Sequence, residues 1–392
     1  MNEASPPDSS PASSRSGAHW PFLDFLRLGA ALLVLFGHTR GLVFVSFQDV
    51  AQAGLGTKVF YFLTGIHREG VAIFFAVSGF LVGGGVWRSL QKSRFNAKTY
   101  FASRFARIYV VLLPALVLTL LLDWIGRSYL IDTRFFGERP LMPIGVTSDW
   151  SWGQIACNLA AVQGIFCKPL GPNPPLWSLG YEWVFYLLAP VLFGTCLAKF
   201  PKALKLCVIA LLFLGVSSLA GGLLRWTPWF IIWLAGALAA QIVRARDMPM
   251  AAGLAGLVVI AAGFFISRLQ ILPPFGTDLM VGLGTALAIA NRPLLSWCPL
   301  AGPVRIGADF SYSLYLIHVP VTVFLGGLLE WYGWPSMLVR PSVSAYAAFA
   351  GLALAALVAA FAFSVFTERR TGFMRDLLLG RRATASVLPK PV

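Results

Sequence analysis

The chain has 392 residues, of which 57% are hydrophobic and only 12% charged, with a mean hydropathy of +0.74. A soluble globular chain is about 45–50% apolar and about a quarter charged, so an ordinary soluble domain is excluded. The apolar residues form long runs without two-residue alternation, which excludes a β-barrel and reads as membrane-spanning helices. The net charge of +15 sits in loops between the runs, where it encodes orientation, and this placement argues against a nucleic-acid partner.

The expected architecture is an all-α polytopic bundle of about ten transmembrane helices. Residues 1–20 are rich in Ser, Pro and Ala and read as a disordered tail, 21–368 as the membrane domain, and 369–392 as a basic carboxyl tail. The first apolar run, 22–44, carries Arg27 and His38. Eleven positions apart, they share a helix face about 16 Å apart along the axis. Arg27 near a membrane boundary has an ordinary alternative in snorkelling, whereas His38 deep in lipid demands a partner. Ala51-Gln52-Ala53 resembles a signal-peptidase site, but the preceding run lacks a basic leader and contains Arg27, His38 and Arg40.

The second run, 70–88, contains Ser78-Gly79, a pair small enough for close helix packing. Arg104 and Arg107 precede the third run, 108–125. Three residues apart, they present either a bidentate phosphate clamp or simple topology charge. A long loop, 126–180, holds Trp150, Trp152, Trp177, Pro174-Pro175, Cys157 and Cys167. The tryptophans fit sugar rings or, more commonly, a membrane interface. The two cysteines either pair or remain free, and 153–166 reads as an interfacial or re-entrant stretch. The fourth run, 181–198, carries Glu182 with Tyr186 one turn on, in hydrogen-bonding register. Five more follow at 204–223, 228–243, 250–267, the short Gly-rich 278–291, and 311–330. The last of these places Ser311, Tyr315 and His318 on one face. A final run covers 344–366. Cys196, Cys207 and Cys298 read as inert core residues, and no Cys or His spacing indicates a metal site.

With the amino terminus inside, the inner loops and carboxyl tail are about twice as basic as the outer loops. Both termini are therefore expected in the cytoplasm, with the chain in a bacterial inner membrane.

Five segments carry a family pattern: Arg27 and His38; Phe74-Phe75-Ala76-Val77-Ser78-Gly79-Phe80; Arg104 with Arg107; Leu176 to Tyr186; and Ser311 to His318. Each is weak alone, but in this order they resemble the acyltransferase 3 family of membrane-bound acyltransferases, from Leu23 to about Glu368. Trp183 stands where many members carry a second Glu, and no hydrolase-like domain follows the last helix.

The resemblance implies transfer of an acyl group, most often acetyl, from cytoplasmic acyl-CoA to a hydroxyl of an extracytoplasmic carbohydrate such as an exopolysaccharide or O-antigen. Acyl-CoA is then a co-substrate, with no permanently bound cofactor. In that scheme Arg104, Arg107 and Arg27 face the donor, while His38 and Glu182 lie toward the acceptor. His38 acts as general base or transient acyl carrier, and Glu182 orients the imidazole or positions the acceptor. Ser78, Tyr186, Tyr315 and His318 are further pore-lining candidates. A transporter of a sugar or anion would use intramembrane Arg, His and Glu as readily, but no internal repeat is visible. A structural subunit of an export assembly would leave these residues unexplained.

Overall fold

A computed structural model describes residues 20–137, 150–334 and 338–381. The amino-terminal tail read over 1–20 lies outside the described residues except for Trp20. So do Arg139 and residues 382–392 of the basic carboxyl tail.

In chain order the helices are α1 (Pro21–Val43), α2 (Leu55–Leu63), α3 (His67–Ser78), α4 (Gly84–Gln91) and α5 (Ala97–Tyr129). There follow α6 (Trp152–Leu159), α7 (Leu176–Leu197), α8 (Lys202–Leu219), α9 (Leu223–Ala245), α10 (Met250–Arg268) and α11 (Pro274–Ile289). The last are α12 (Arg292–Leu295), α13 (Ala301–Asp309), α14 (Ser311–Trp331), α15 (Val343–Phe366) and α16 (Thr371–Leu378). Among the described residues there are no strands, only two isolated bridges. Among the described residues nine helical stretches are long and apolar enough to cross a membrane, counting α2–α4 as one and α15–α16 as one. The tenth, α11, has 16 residues, about 24 Å against a hydrocarbon core of about 30 Å. The chain is an all-α polytopic membrane bundle.

The expected span 70–88 is subdivided. Between α3 and α4 the backbone widens into one π-helical turn, Gly79–Gly83. The cause is close packing: a Cβ on Gly79 would overlap the Trp233 carbonyl, and one on Gly236 would overlap that of Ala76. Two backbones therefore meet directly, as small residues permit, and the turn re-aims Ser78 immediately before it. The Gly-rich character of α11 has the same origin, since Gly284 meets the Gly256 carbonyl of α10 at 2.9 Å from its would-be Cβ.

The centre of the bundle is built by α1, α3, α9, α11 and α14, which pack on one another. In contrast, α8 has no buried residue and packs on the outside of the bundle against α7 and α9. Both ends of the described chain lie at one face, where Arg27 near the start of α1 approaches Glu368 beyond α15 at 3.8 Å. Arg104, Arg107 and α16 lie there too, and we call it the basic face. At the distal face the end of α1 bridges to the segment before α15, Phe44 against Val339.

Among its described residues the long loop adds no span: its helix α6 has eight residues and is tied down by a disulfide between Cys157 and Cys167. The loop then turns inward through Asn173, whose amide donates to the Leu316 carbonyl at 2.8 Å and the Thr119 hydroxyl at 3.1 Å. Cys196 and Cys207 are exposed and Cys298 partly so, which corrects their assignment to the core: they sit on the outward flanks of α7 and α8 and in the loop after α12.

Candidate active site

Two cavities enter the bundle from opposite faces. The one at the basic face holds about 480 Å³ and is lined by Arg27, Arg104, Arg107, Glu182, Tyr186 and Arg375, among others. The distal one holds about 390 Å³ and is lined by His38, His67, Arg68 and Trp177. Val71 and Tyr315 line both, so the cavities are separated there by a septum about one side chain thick.

At the basic face the arginines differ from one another. Arg107 donates to Glu368 at 2.8 Å, and the other carboxylate oxygen of Glu368 accepts from the Ser313 amide at 3.0 Å and its hydroxyl at 3.1 Å. Arg27 donates to the Ala308 carbonyl at 3.0 Å and lies 3.6 Å from Asp24. A clamp made by Arg104 and Arg107 together would have to share Arg107 with Glu368. Arg104 instead stacks over the Tyr186 ring at 5.6 Å, and its Nε has no partner. It is the arginine of this wall best placed to accept a phosphate.

Glu182 also belongs to this chamber. Its Oε1 accepts from Ser78 at 2.7 Å and Tyr186 at 2.5 Å, and the Ser78 hydroxyl accepts from the Trp233 indole at 3.2 Å. The hydrogen bond read from the Glu182–Tyr186 spacing is present. The expected placement of Glu182 beside His38 is not, since the carboxylate lines the basic-face cavity and His38 the distal one. Depth along α7 suggested the acceptor side, but the cavity runs obliquely and reaches Ser178. At the septum the Tyr315 hydroxyl donates to the Pro175 carbonyl at 3.2 Å, lies 2.6 Å from the Ser178 hydroxyl, and is packed by Phe74 edge-on at 5.5 Å.

His38 finds its partner in His318, with His38 Nδ1 3.0 Å from His318 Nε2. The hydrogen-bond network assigns both tautomers. His318 Nδ1 lies 2.9 Å from the carbonyls of Leu314 and Tyr315. Two acceptors there require the proton on Nδ1, so in the neutral ring Nε2 bears the lone pair. His38 Nδ1 must then be the donor, which leaves His38 Nε2 unprotonated. His67 packs against His38 as well, its ring centroid 5.1 Å away and its plane tilted by 55°. Three of the four histidines thus meet, although no cluster of His, Cys, Asp or Glu among the described residues has a metal-holding arrangement.

Several neighbours are not legible from the chain pattern. His67, the Arg68–Asp278 pair at 2.7 Å and Glu368 become visible only through contacts across long sequence separations. The one local signal was His67-Arg68 at the entrance to an apolar run.

A family model described as an acyltransferase domain matches residues 20–369, and the chain belongs to the acyltransferase 3 family. Over 95% of both chains it is 27% identical to acyltransferase MdmB of Streptomyces mycarofaciens. It is 30% identical to nodulation protein 10 of Rhizobium leguminosarum bv. viciae over 46% of each chain. An uncharacterized protein of Haemophilus influenzae is 29% identical over 36% of this chain and 55% of its own length. No solved structure matches. The protein is an integral membrane acyltransferase.

Proposed function

We propose that the protein moves an acyl group, acetyl in the first instance, from acyl-CoA at the basic face to a hydroxyl of a carbohydrate at the distal face. The basic face would be cytoplasmic, where positive charge is retained. A disulfide on the long loop is suited to the oxidising side of a bacterial inner membrane. The observation that carries the reading is the pair of cavities meeting at Val71 and Tyr315, with His38 on one side and unpaired Arg104 on the other.

In this mechanism the CoA phosphates sit at the mouth of the basic-face chamber against Arg104, with Arg375 beside it. The pantetheine arm runs past Arg27 and the Glu182–Tyr186–Ser78 group, which fixes the chamber wall. The thioester carbonyl reaches the septum, where the Tyr315 and Ser178 hydroxyls turn from the Pro175 carbonyl to donate to a developing oxyanion. From the distal side His38 Nε2 removes the acceptor's hydroxyl proton. The new C–O bond forms as the C–S bond breaks, giving the ester and CoA thiolate, and the proton held by His38 ends on the thiol. His318 acts through His38 by holding its lone pair toward the acceptor.

The test uses purified protein in proteoliposomes, radiolabelled acetyl-CoA, and glycan extracted from cells lacking the protein. Label should pass to the glycan and be removed by mild alkali, as an ester is. A His38→Ala variant that inserts normally should lose about 10²–10⁴-fold in rate. Full transfer by that variant would sink the base assignment, and no transfer by the native protein would sink the acceptor reading.

A further inference from the structure

Elsewhere on the distal face two arginines are neutralised, Arg127 by Asp123 at 3.0 Å and Arg134 by Glu330 at 2.8 Å. Around His38 the balance is different. Arg68 and Arg225 line the cavity that contains His38. A neighbouring cavity of about 460 Å³ shares His67 and Arg68 with it and adds Arg268 and Glu69. Arg68 is occupied by Asp278 through Nε at 2.8 Å and Nη2 at 2.7 Å. Arg268 meets only a carbonyl, that of Gly65 at 3.4 Å. Neither it nor Arg225 has a carboxylate within 4.0 Å among the described residues.

A second observation points the same way. Glu69 is 2% exposed, its Oε1 accepts from Ser267, and its Oε2 has no partner. His67 Nδ1 is likewise unpartnered. Buried polar atoms are nearly always bonded, so an open carboxylate oxygen and ring nitrogen in one cavity wall are groups waiting for hydroxyls. Trp177 and Trp229, with ring centroids 5.3 Å apart and tilted by 54°, line the other cavity with Arg68 over the Trp229 ring, and their apolar surface is suited to a sugar ring.

We propose that the two distal cavities form the acceptor site and that it selects a polyhydroxylated acceptor bearing an anionic group, carboxylate or phosphate. Arg225 in one cavity and Arg268 in the other supply the uncompensated charge. Glu69 and His67 receive hydroxyls, and the tryptophans carry the ring. Such a field both raises the local concentration of acidic acceptors and rejects cationic ones. This assignment deepens the proposed function by naming the acceptor's charge, and it rests on His38 facing that same chamber.

The test is a binding measurement without acyl-CoA, on the full chain in lipid nanodiscs, titrated with methyl glucuronide, glucose 6-phosphate and methyl glucoside. At least one acidic probe should bind about tenfold or more tighter than the neutral glycoside, and which one does so separates carboxylate from phosphate recognition. An Arg225→Gln, Arg268→Gln double variant should lose that preference while keeping its acetyl-CoA affinity, which reports intact folding. Arg127→Gln, which removes a paired arginine elsewhere on the face, should keep the preference. Equal binding of all three probes, or a preference that survives in the double variant, overturns the proposal. Because no transfer is measured, failure here is distinct from failure of the acyl-transfer reading.

Discussion

On the proposed mechanism His318, whose Nε2 lies 3.0 Å from His38 Nδ1, acts through His38 without touching a substrate. If its role is to accept from His38 Nδ1, a side chain that keeps an acceptor near Nε2 should substitute for it. His318→Gln should therefore retain a substantial fraction of the rate, while His318→Leu should lose about 10²-fold or more through the wrong His38 tautomer. Nitrogen-15 shifts of the labelled histidines give an independent readout. Both His38 and His318 should show the Nδ1–H form in the native protein, and His38 should lose it in the Leu variant. The arginines separate in a similar way. Arg104→Ala should raise the acyl-CoA dissociation constant about tenfold, the loss of one charge-assisted contact, in a direct titration. Arg107→Ala leaves Glu368 buried at 4% side-chain exposure without its closest cation. That variant should lower thermal stability, by on the order of 3 kcal/mol, before it affects binding.

At the scale of elements, the apolar runs and the five motif segments were legible because both are local. Hydropathy marks a span without knowledge of its neighbours, and Arg27/His38 or Ser311/Tyr315/His318 are related by helical phase alone. Contacts such as His38 with His318, 280 residues apart, follow no local rule. Neither does the pairing of Arg107 with Glu368, which gives one of the two arginines read as a phosphate clamp a carboxylate partner. The π-helical turn at Gly79–Gly83 was equally hidden, since its cause lies in Gly236 of another helix. That contact predicts that Gly79→Val or Gly236→Val will force α3 and α9 apart. Either variant should reduce folded yield and melting temperature in detergent, whereas Gly85→Ala, where a Cβ meets nothing within 4 Å, should not.

For the whole molecule, the septum at Val71 and Tyr315 has an electrical consequence. Two cavities opening on opposite faces, when hydrated, concentrate the transmembrane voltage across the thin barrier between them. On the proposed chemistry an acyl group, formally a cation, crosses this barrier outward while the acceptor's proton crosses inward to the thiolate, so a complete turnover moves no net charge. Native transfer in proteoliposomes should then be indifferent to a potassium–valinomycin potential. In the proposed mechanism the septum's Tyr315 hydroxyl also passes this proton, and Tyr315→Phe removes it. The proton would then leave on the distal side, and each turnover would carry one positive charge outward, against about 2.3 kcal/mol per 100 mV of inside-negative potential. Turnover by that variant should slow as the interior is made more negative, giving a membrane acyltransferase with a measurable voltage dependence.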